Sequence, residues 1–154
     1  MATARSTRPG SATPDPAARR FFGVDVGETI GWFTEVSGLA MEYEVVEHQE
    51  GGVNDFVHKL RGRMKFPNLV LKRGITHEEA FVRWFLACRE KTERRDLSVT
   101  LYGPDLSPIR TWSFTGAFPV KWTGPDLSAT AGEVAMESIE IAHQGLKGVA
   151  PGGG

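Results

Sequence analysis

LAMEYEVVE, Leu39 to Glu47, is the stretch on which the fold turns. Leu39, Met41, Tyr43 and Val45 alternate with Ala40, Glu42, Glu44 and Val46. A period of two over that length predicts a strand with one buried face and one wetter face. Downstream runs EGGVNDFVHKLRGRMKFPNLVLKRG, Glu50 to Gly74, which opens on paired glycines and turns strand-like only at Phe66–Leu71. The reading is a long polar loop between two strands. Such connections are uncommon in compact domains and mark either function or disorder.

Working outward, Phe21–Val26 reads as a short strand closed by Gly27, and Gly31-Trp32-Phe33 resumes extended structure before a bend at Val36-Ser37-Gly38. Thr76-His77-Glu78-Glu79 has the form of a capping box, Thr at N-cap and Glu at N3. It predicts one helix, about Thr76 to Lys91, with Phe81, Trp84, Phe85 and Cys88 forming an apolar stripe. Glu78 and Glu79 then sit in the first turn and Arg89 and Lys91 in the last, as the helix dipole favours. Loss of the Thr76 cap would cost about 1 kcal/mol. Strands follow at Leu97–Tyr102, Ile109–Phe114 and Phe118–Trp122, separated by turn chemistry at Gly103-Pro104-Asp105 and by Gly116. Gly124-Pro125-Asp126 is a second turn signal, and Glu133–His143 reads as a long last strand. Its phase slips between Val134 and Met136 on one side and Ile139 and Ile141 on the other, which suggests a bulge or two covered faces. The sum is a mainly β (α+β) fold: two antiparallel sheets packed face to face with one flanking helix. The long strands leave edges, and exposed edges invite association.

The chain has 154 residues, enough for one domain, with 40% hydrophobic and 24% charged residues and a formal charge of -1. That balance argues against a general nucleic-acid or membrane-surface binder. Cys88 is the single cysteine, so no internal disulfide forms and a reducing cytoplasm is the expected place of synthesis. No apolar run approaches membrane-spanning length. Residues 1–20 carry Arg5, Arg8, Arg19 and Arg20 against Asp15, with three prolines, and read as a flexible tail. Arg19-Arg20 hints at a twin-arginine signal, but the GVDVGETIG that follows Phe22 is no apolar segment. Residues 148–154 read as a flexible Gly-rich end, leaving a domain at 21–147.

Catalytic signals are few. His77-Glu78 lacks the second histidine of a zinc motif, and His48, His58, His77 and His143 are scattered, as surface or cap residues are. The glycines at 23, 27 and 31 make no dinucleotide fingerprint, and no serine sits in a nucleophile elbow. Glu42 and Glu44 share a strand face, which reads as a solvated face ahead of an acid/base pair. Cys88 lies on the apolar stripe as a small hydrophobe. Arg61, Arg63, Lys65, Lys72 and Arg73 form a basic cluster with Phe66 as its only aromatic, which points to a contact with acidic groups on another protein copy or to a solvated charged loop.

Three segments, GWFTEVSGLAMEYEVVEHQEGG, KLRGRMKFPNLVLKRGIT and FPVKWTGPDLSATAGEVAMESIEIAHQGL, taken in order, resemble the tail tube (inner tube) proteins of contractile phage tails and phage-tail-like contractile injection systems. The resemblance covers about Phe21 to Leu146 and rests on Ser37-Gly38-Leu39, Lys72-Arg73-Gly74, KWTGPDL at Lys121–Leu127 and Ile141-Ala142-His143 as a set. It implies two roughly orthogonal sheets with a helix at the side, in a structural protein with no active site and no cofactor or metal. It implies hexameric rings in which each subunit lends strands to one barrel around a channel, the rings stacking within a sheath. The implied partners are further copies of the chain, a sheath protein, baseplate and spike proteins, a cap or terminator protein and cargo in the lumen, with no specific nucleic acid and no direct membrane insertion. The particle would assemble in the cytoplasm. The resemblance puts Gly51, Gly52, Asn54, Lys59, Arg61, Arg63, Lys72 and Arg73 at contacts between subunits and rings. Glu42, Glu44, Glu133, Glu137 and Glu140 are the candidates for the channel wall. Other readings are a tube-initiating paralogue at the baseplate, a phage tail tube, or a small β-barrel ligand-binding protein or enzyme.

Overall fold

The computed structural model describes residues 20–48, 58–74, 78–126 and 135–152. Ten strands and one short helix follow in the order β1 (Phe21–Asp25), β2 (Thr29–Phe33), β3 (Glu35–Ser37), β4 (Glu42–His48), β5 (His58–Lys65), β6 (Leu69–Gly74), α1 (Ala80–Ala87), β7 (Arg95–Tyr102), β8 (Pro108–Thr123), β9 (Met136–Ala142) and β10 (Gly145–Pro151). The expected mainly β architecture of two antiparallel sheets and a helix is present, and the sheets do not close on themselves within one subunit.

The two sheets share β8, a 16-residue strand. Its first half joins the first sheet, β2-β1-β7-β8-β10. Its second half joins the second, β3-β6-β9-β8. A strand that changes sheets needs a corner. Gly116 supplies it with φ +61, and a Cβ there would meet the Gln144 side chain at 2.6 Å. Gly116→Ala is expected to cost about 1–2 kcal/mol through left-handed backbone strain, read as a lower urea midpoint with unchanged m-value.

The core lies between the facing sides of the sheets. Val24, Leu97, Val99 and Phe114 come from the first, and Leu69, Leu71, Ile139 and Ile141 from the second. The helix closes the open end. Phe81 and Trp84 are buried, with Phe85 and Cys88 packed against the core, so the apolar stripe is as the spacing predicts. The helix is shorter than predicted. Glu79 is its N-cap without a side-chain cap bond, and the Ala80 N–H donates to Glu78 Oε1 at 3.0 Å. Thr76 lies outside the described residues. Trp84 is held by its indole N–H donating to the Glu93 carbonyl at 2.9 Å.

Three local readings change. The sequence from His58 to Lys65 is a strand, not part of a loop, because it pairs with β4 in a register that sets Lys65 opposite Glu42 and Lys59 opposite Glu47. Cross-strand charge pairs of this kind support a strand that composition alone would not predict. The C-terminal stretch, expected to be a flexible end from Gly148, contributes Gly148 to Pro151 to β10, where ladder bonds to β8 satisfy its backbone. In β9 there is no slip: Glu137, Ile139 and Ile141 share one phase, and the sequence conceals it because the first of the three inward positions is a charge.

Candidate functional site

β3 and β6 leave the second sheet together. After residues 38–41 on one strand and 66–68 on the other, they continue as β4 and β5, a two-stranded arm whose strands, among the described residues, pair only with each other. The predicted alternation is real, but its apolar side is not buried within the subunit. Leu39 reaches the core. Met41 is 58% exposed and Val45 62%, with Tyr43 and its register partner Met64 also open, and on the opposite face Val46 (51%) and its partner Leu60 (55%) are open as well. An isolated hairpin is marginally stable in water, and contiguous exposed apolar surface of this kind marks an interaction site.

Charge decorates the arm. Lys65 Nζ lies 2.6 Å from Glu44 Oε1. That hydrogen bond, with Coulomb attraction from Glu44 and Glu42, raises the Lys65 pKa. The Arg61 guanidinium lies 4.9 Å from the centre of the Tyr43 ring. Lys59 and Arg63 are exposed on β5. The arm thus brings Glu42, Glu44, Lys59, Arg61 and Arg63 onto one two-stranded element, from what had been assigned to two groups. Gly51, Gly52, Asn54 and Glu133 lie outside the described residues.

Lys72 is exposed on β6, with Nζ 3.7 Å from Glu35 Oε2. Its neighbour Arg73, expected at a contact between copies, turns inward and is 3% exposed. The Arg73 Nε donates to Glu137 Oε1, and Nη1 donates to the Ile30 carbonyl at 2.7 Å. The guanidinium also lies 4.8 Å from the centre of the Phe33 ring. Glu137, expected on the channel wall, accepts a second bond from the Trp122 indole at 3.1 Å. Burial decides this: a charge removed from water needs a partner, and these two residues are register neighbours on β6 and β9. Glu140 faces the other way and accepts from the Asn68 amide at 3.0 Å.

His143 is partly buried. Its ring packs 4.6 Å from Phe114 and 5.6 Å from Phe66, centre to centre, and Nε2 lies 3.2 Å from the Pro67 carbonyl. Burial pushes its pKa down, against the backbone of Pro67 and Gly145, which push it up. The unfolded chain therefore takes up the proton first. The neutral ring's contribution is complete above the ordinary histidine value of about 6.5 and declines as pH falls below it. The urea midpoint is expected to drop between pH 7.5 and 5.5, and to drop less in His143→Phe.

Elsewhere, a cleft of about 680 Å³ lies over the first sheet, lined in part by Asp25, Arg95, Asp96, Ser98, Ser113 and Lys147. Among the described residues no group of three His, Cys, Asp or Glu side chains could hold a metal ion. The second half of β8 is a second open surface, with Val120 and Trp122 about half exposed and, among the described residues, no strand on its outer side. Sequence reading missed the exposure of the arm, because alternation shows that a face is apolar without showing what covers it.

Comparison with known proteins fits this arrangement. A chain of the anti-feeding prophage (AFP) baseplate, determined with six-fold symmetry, superposes with a TM-score of 0.74 at 26% identity, covering 91% of this chain and 97% of that one. A chain of the PVC sheath–tube complex, an extracellular contractile injection system in its extended state, gives 0.74 at 24% identity, covering 92% and 94%. A chain of the AFP tube-terminating cap gives 0.74 at 24%, covering 97% and 99%. A search of curated protein sequences found no match. The family of the T4-like virus tail tube protein gp19 matches residues 19–147. The family is one of tail tube proteins, structural components and not enzymes, and an open, apolar arm on a two-sheet body suits such a component. The chain belongs to the T4-like virus tail tube protein gp19 family.

Proposed function

We propose that the protein is the inner-tube subunit of a contractile injection machine. Copies close into hexameric rings, the rings stack into a hollow tube inside a sheath, and contraction of the sheath drives the tube through a target envelope while the lumen carries cargo. The observation that carries this reading is the arm: Tyr43, Val45, Val46, Leu60 and Met64 are all exposed on it, and no other described strand pairs with it. A second copy is the natural cover. On this reading Gly51, Gly52, Asn54, Lys59, Arg61, Arg63 and Lys72 lie at contacts between copies and rings. Glu42, Glu44, Glu133 and Glu140 line the channel, where a hydrated charged wall that grips nothing lets cargo slide. Arg73 and Glu137 are not in either group, since they hold each other.

The partners that follow are the sheath, the baseplate and spike, and a cap or terminator. The likeness to chains of a sheath–tube complex, a baseplate and a cap supports them. No described helix is long and apolar enough to cross a membrane. Assembly takes place in the cytoplasm on this reading. The 26% identity to a baseplate chain favours a second reading, a tube-initiating ring at the baseplate. Negative-stain electron microscopy over a range of concentrations tests both. Stacked hollow tubes are expected for the main tube subunit, and single rings that do not stack would identify the initiator. Compact monomers at every concentration, with or without added tube ends, would overturn both.

A further inference from the structure

The arm leaves the body through residues 66–68, and that root is pinned by the residues that join β9 to β10. His143 Nε2 lies 3.2 Å from the Pro67 carbonyl. A carbonyl only accepts, so Nε2 carries the proton and Nδ1 is the bare nitrogen of the neutral ring. The ring also stands against Phe66 and Phe114. Phe66 in turn lies on Gly145, where a Cβ would come 3.2 Å from its ring. Asn68 donates to Glu140 Oε1 at 3.0 Å, and Gly38 on the other strand of the root touches it, since a Cβ at 38 would fall on the Asn68 carbonyl oxygen. Each residue from Phe66 to Asn68 thus has its own hold on the body, and two of the three run through His143.

That hold depends on the ring staying neutral. Nδ1 is buried and has no hydrogen-bond partner among the described residues. A proton there would bring a positive charge and an unbonded N–H into apolar surroundings, and burying either costs free energy. No charged side chain offsets this. Burial is the largest influence on the imidazole and disfavours the charged form, while the backbone of Pro67 and Gly145 favours it less strongly. The charged residues of the surrounding strands are engaged elsewhere or turned to water. Lys65 of β5 pairs with Glu44, Glu137 of β9 with Arg73, and Glu140 accepts from Asn68. Lys147 of β10 and Arg110 and Lys121 of β8 are exposed.

We infer that His143 is an acid-sensitive latch at the root of the arm: the neutral ring holds residues 66–68 on the body, and the protonated ring lets them go. An isolated two-stranded hairpin is marginal in water, so an arm freed at its root also loses its own ladder. β6 and β9 keep theirs, since each is paired on both sides. The released form takes up its proton near the ordinary histidine value of about 6.5 and the latched form only below it. The latch is therefore complete above that pH and weakens as pH falls through it. One proton per subunit raises the released fraction by at most about tenfold per pH unit. Contacts made between copies by the arm then form at neutral pH and are lost in acid. That consequence rests on the inner-tube reading above; the latch itself does not.

Hydrogen exchange on the dilute full chain tests the latch directly, with rates corrected for the intrinsic effect of pH. Between pH 7.5 and 5.5 the amides of β4 and β5 are expected to lose protection by about tenfold while those of β6 and β9 keep theirs. His143→Gln retains a donor for the Pro67 carbonyl and does not titrate, and His143→Phe retains the packing. In both, the loss is expected to shrink to less than about twofold, since the proton linkage is gone. His48 and His58, register partners on the arm itself, remain in both variants. A loss of protection that persists in the variants would assign the effect to that pair and overturn the latch, as would unchanged protection in the wild type. Mass photometry over the same pH range gives the second readout: wild-type rings are expected to dissociate in acid and His143→Gln rings to persist. Wild-type rings that survive at pH 5.5 with the arm released would overturn the link from latch to assembly. A wild-type chain that forms no rings at any pH, while its arm exchanges as expected, would overturn the inner-tube reading and leave the latch standing.

Discussion

Val45→Asp combined with Leu60→Lys is expected to abolish ring formation while leaving the stability of the monomer within about 0.5 kcal/mol of wild type. Both residues are mostly exposed in the subunit, and among the described residues β4 and β5 pair with no other strand, so folding loses little apolar contact. The assembly loses far more. Burying an aliphatic side chain is worth about 1.5–3 kcal/mol. The two residues lie on opposite faces of the arm, so the pair sets a charge on each open apolar face and adds the cost of desolvating it to the lost burial. The pair leaves net charge unchanged, so repulsion between copies does not explain the loss. Urea denaturation reports the first quantity and sedimentation velocity the second. A variant that forms rings at wild-type concentration would remove the arm from the assembly contact.

Arg73→Ala should have the opposite profile, destabilising the subunit itself by about 3–5 kcal/mol, because it leaves the Glu137 carboxylate buried without its cation. It also removes the donor to the Ile30 carbonyl and the cover over Phe33, so β2, β6 and β9 lose a common tie. For a domain whose total stability is of the order of 5–15 kcal/mol, that is enough to unfold part of the population. Gly31 gives an independent approach to the same cluster. Its φ is +129, and a Cβ placed there would fall inside the Arg73 guanidinium. Gly31→Ala is therefore expected to be as damaging as removal of Arg73, and the two together no worse than additive, with coupling expected because they share one site. Arg73→Met with Glu137→Leu separates charge from packing: if it recovers much of the loss seen in Arg73→Ala, the cost is that of an unpaired buried charge. Equilibrium urea curves on the four variants decide this. A midpoint for Arg73→Ala close to wild type would show that the pair contributes nothing to folding.

These profiles also separate the two roles of neighbouring residues. Lys72 and Arg73 read as one basic cluster in the sequence, yet one is exposed and the other is buried. Alternation along a strand makes that inevitable, since successive side chains point to opposite faces. The sequence cannot say which member of the pair is inward until a neighbour at the matching register is known, and Glu137 lies 64 positions away.

From sequence alone, the local rules determined most of the strands, the turn at Gly103-Pro104-Asp105, the helix stripe of Phe81 and Trp84 and the mainly β class. They did so because each depends on spacing within a few residues. The resemblance in the segments around Ser37-Gly38-Leu39 and Lys121–Leu127 determined the family, which the match over residues 19–147 bears out. Tertiary structure decided what depends on partners distant in sequence: that His58–Lys65 is a strand because β4 pairs with it, that Gly148–Pro151 is held by β8, that Glu137 is an inward residue because Arg73 meets it, and that the apolar side of β4 is left open. Periodicity fixes which side chains share a face. Only the folded chain shows whether that face is covered by its own residues or left for another copy.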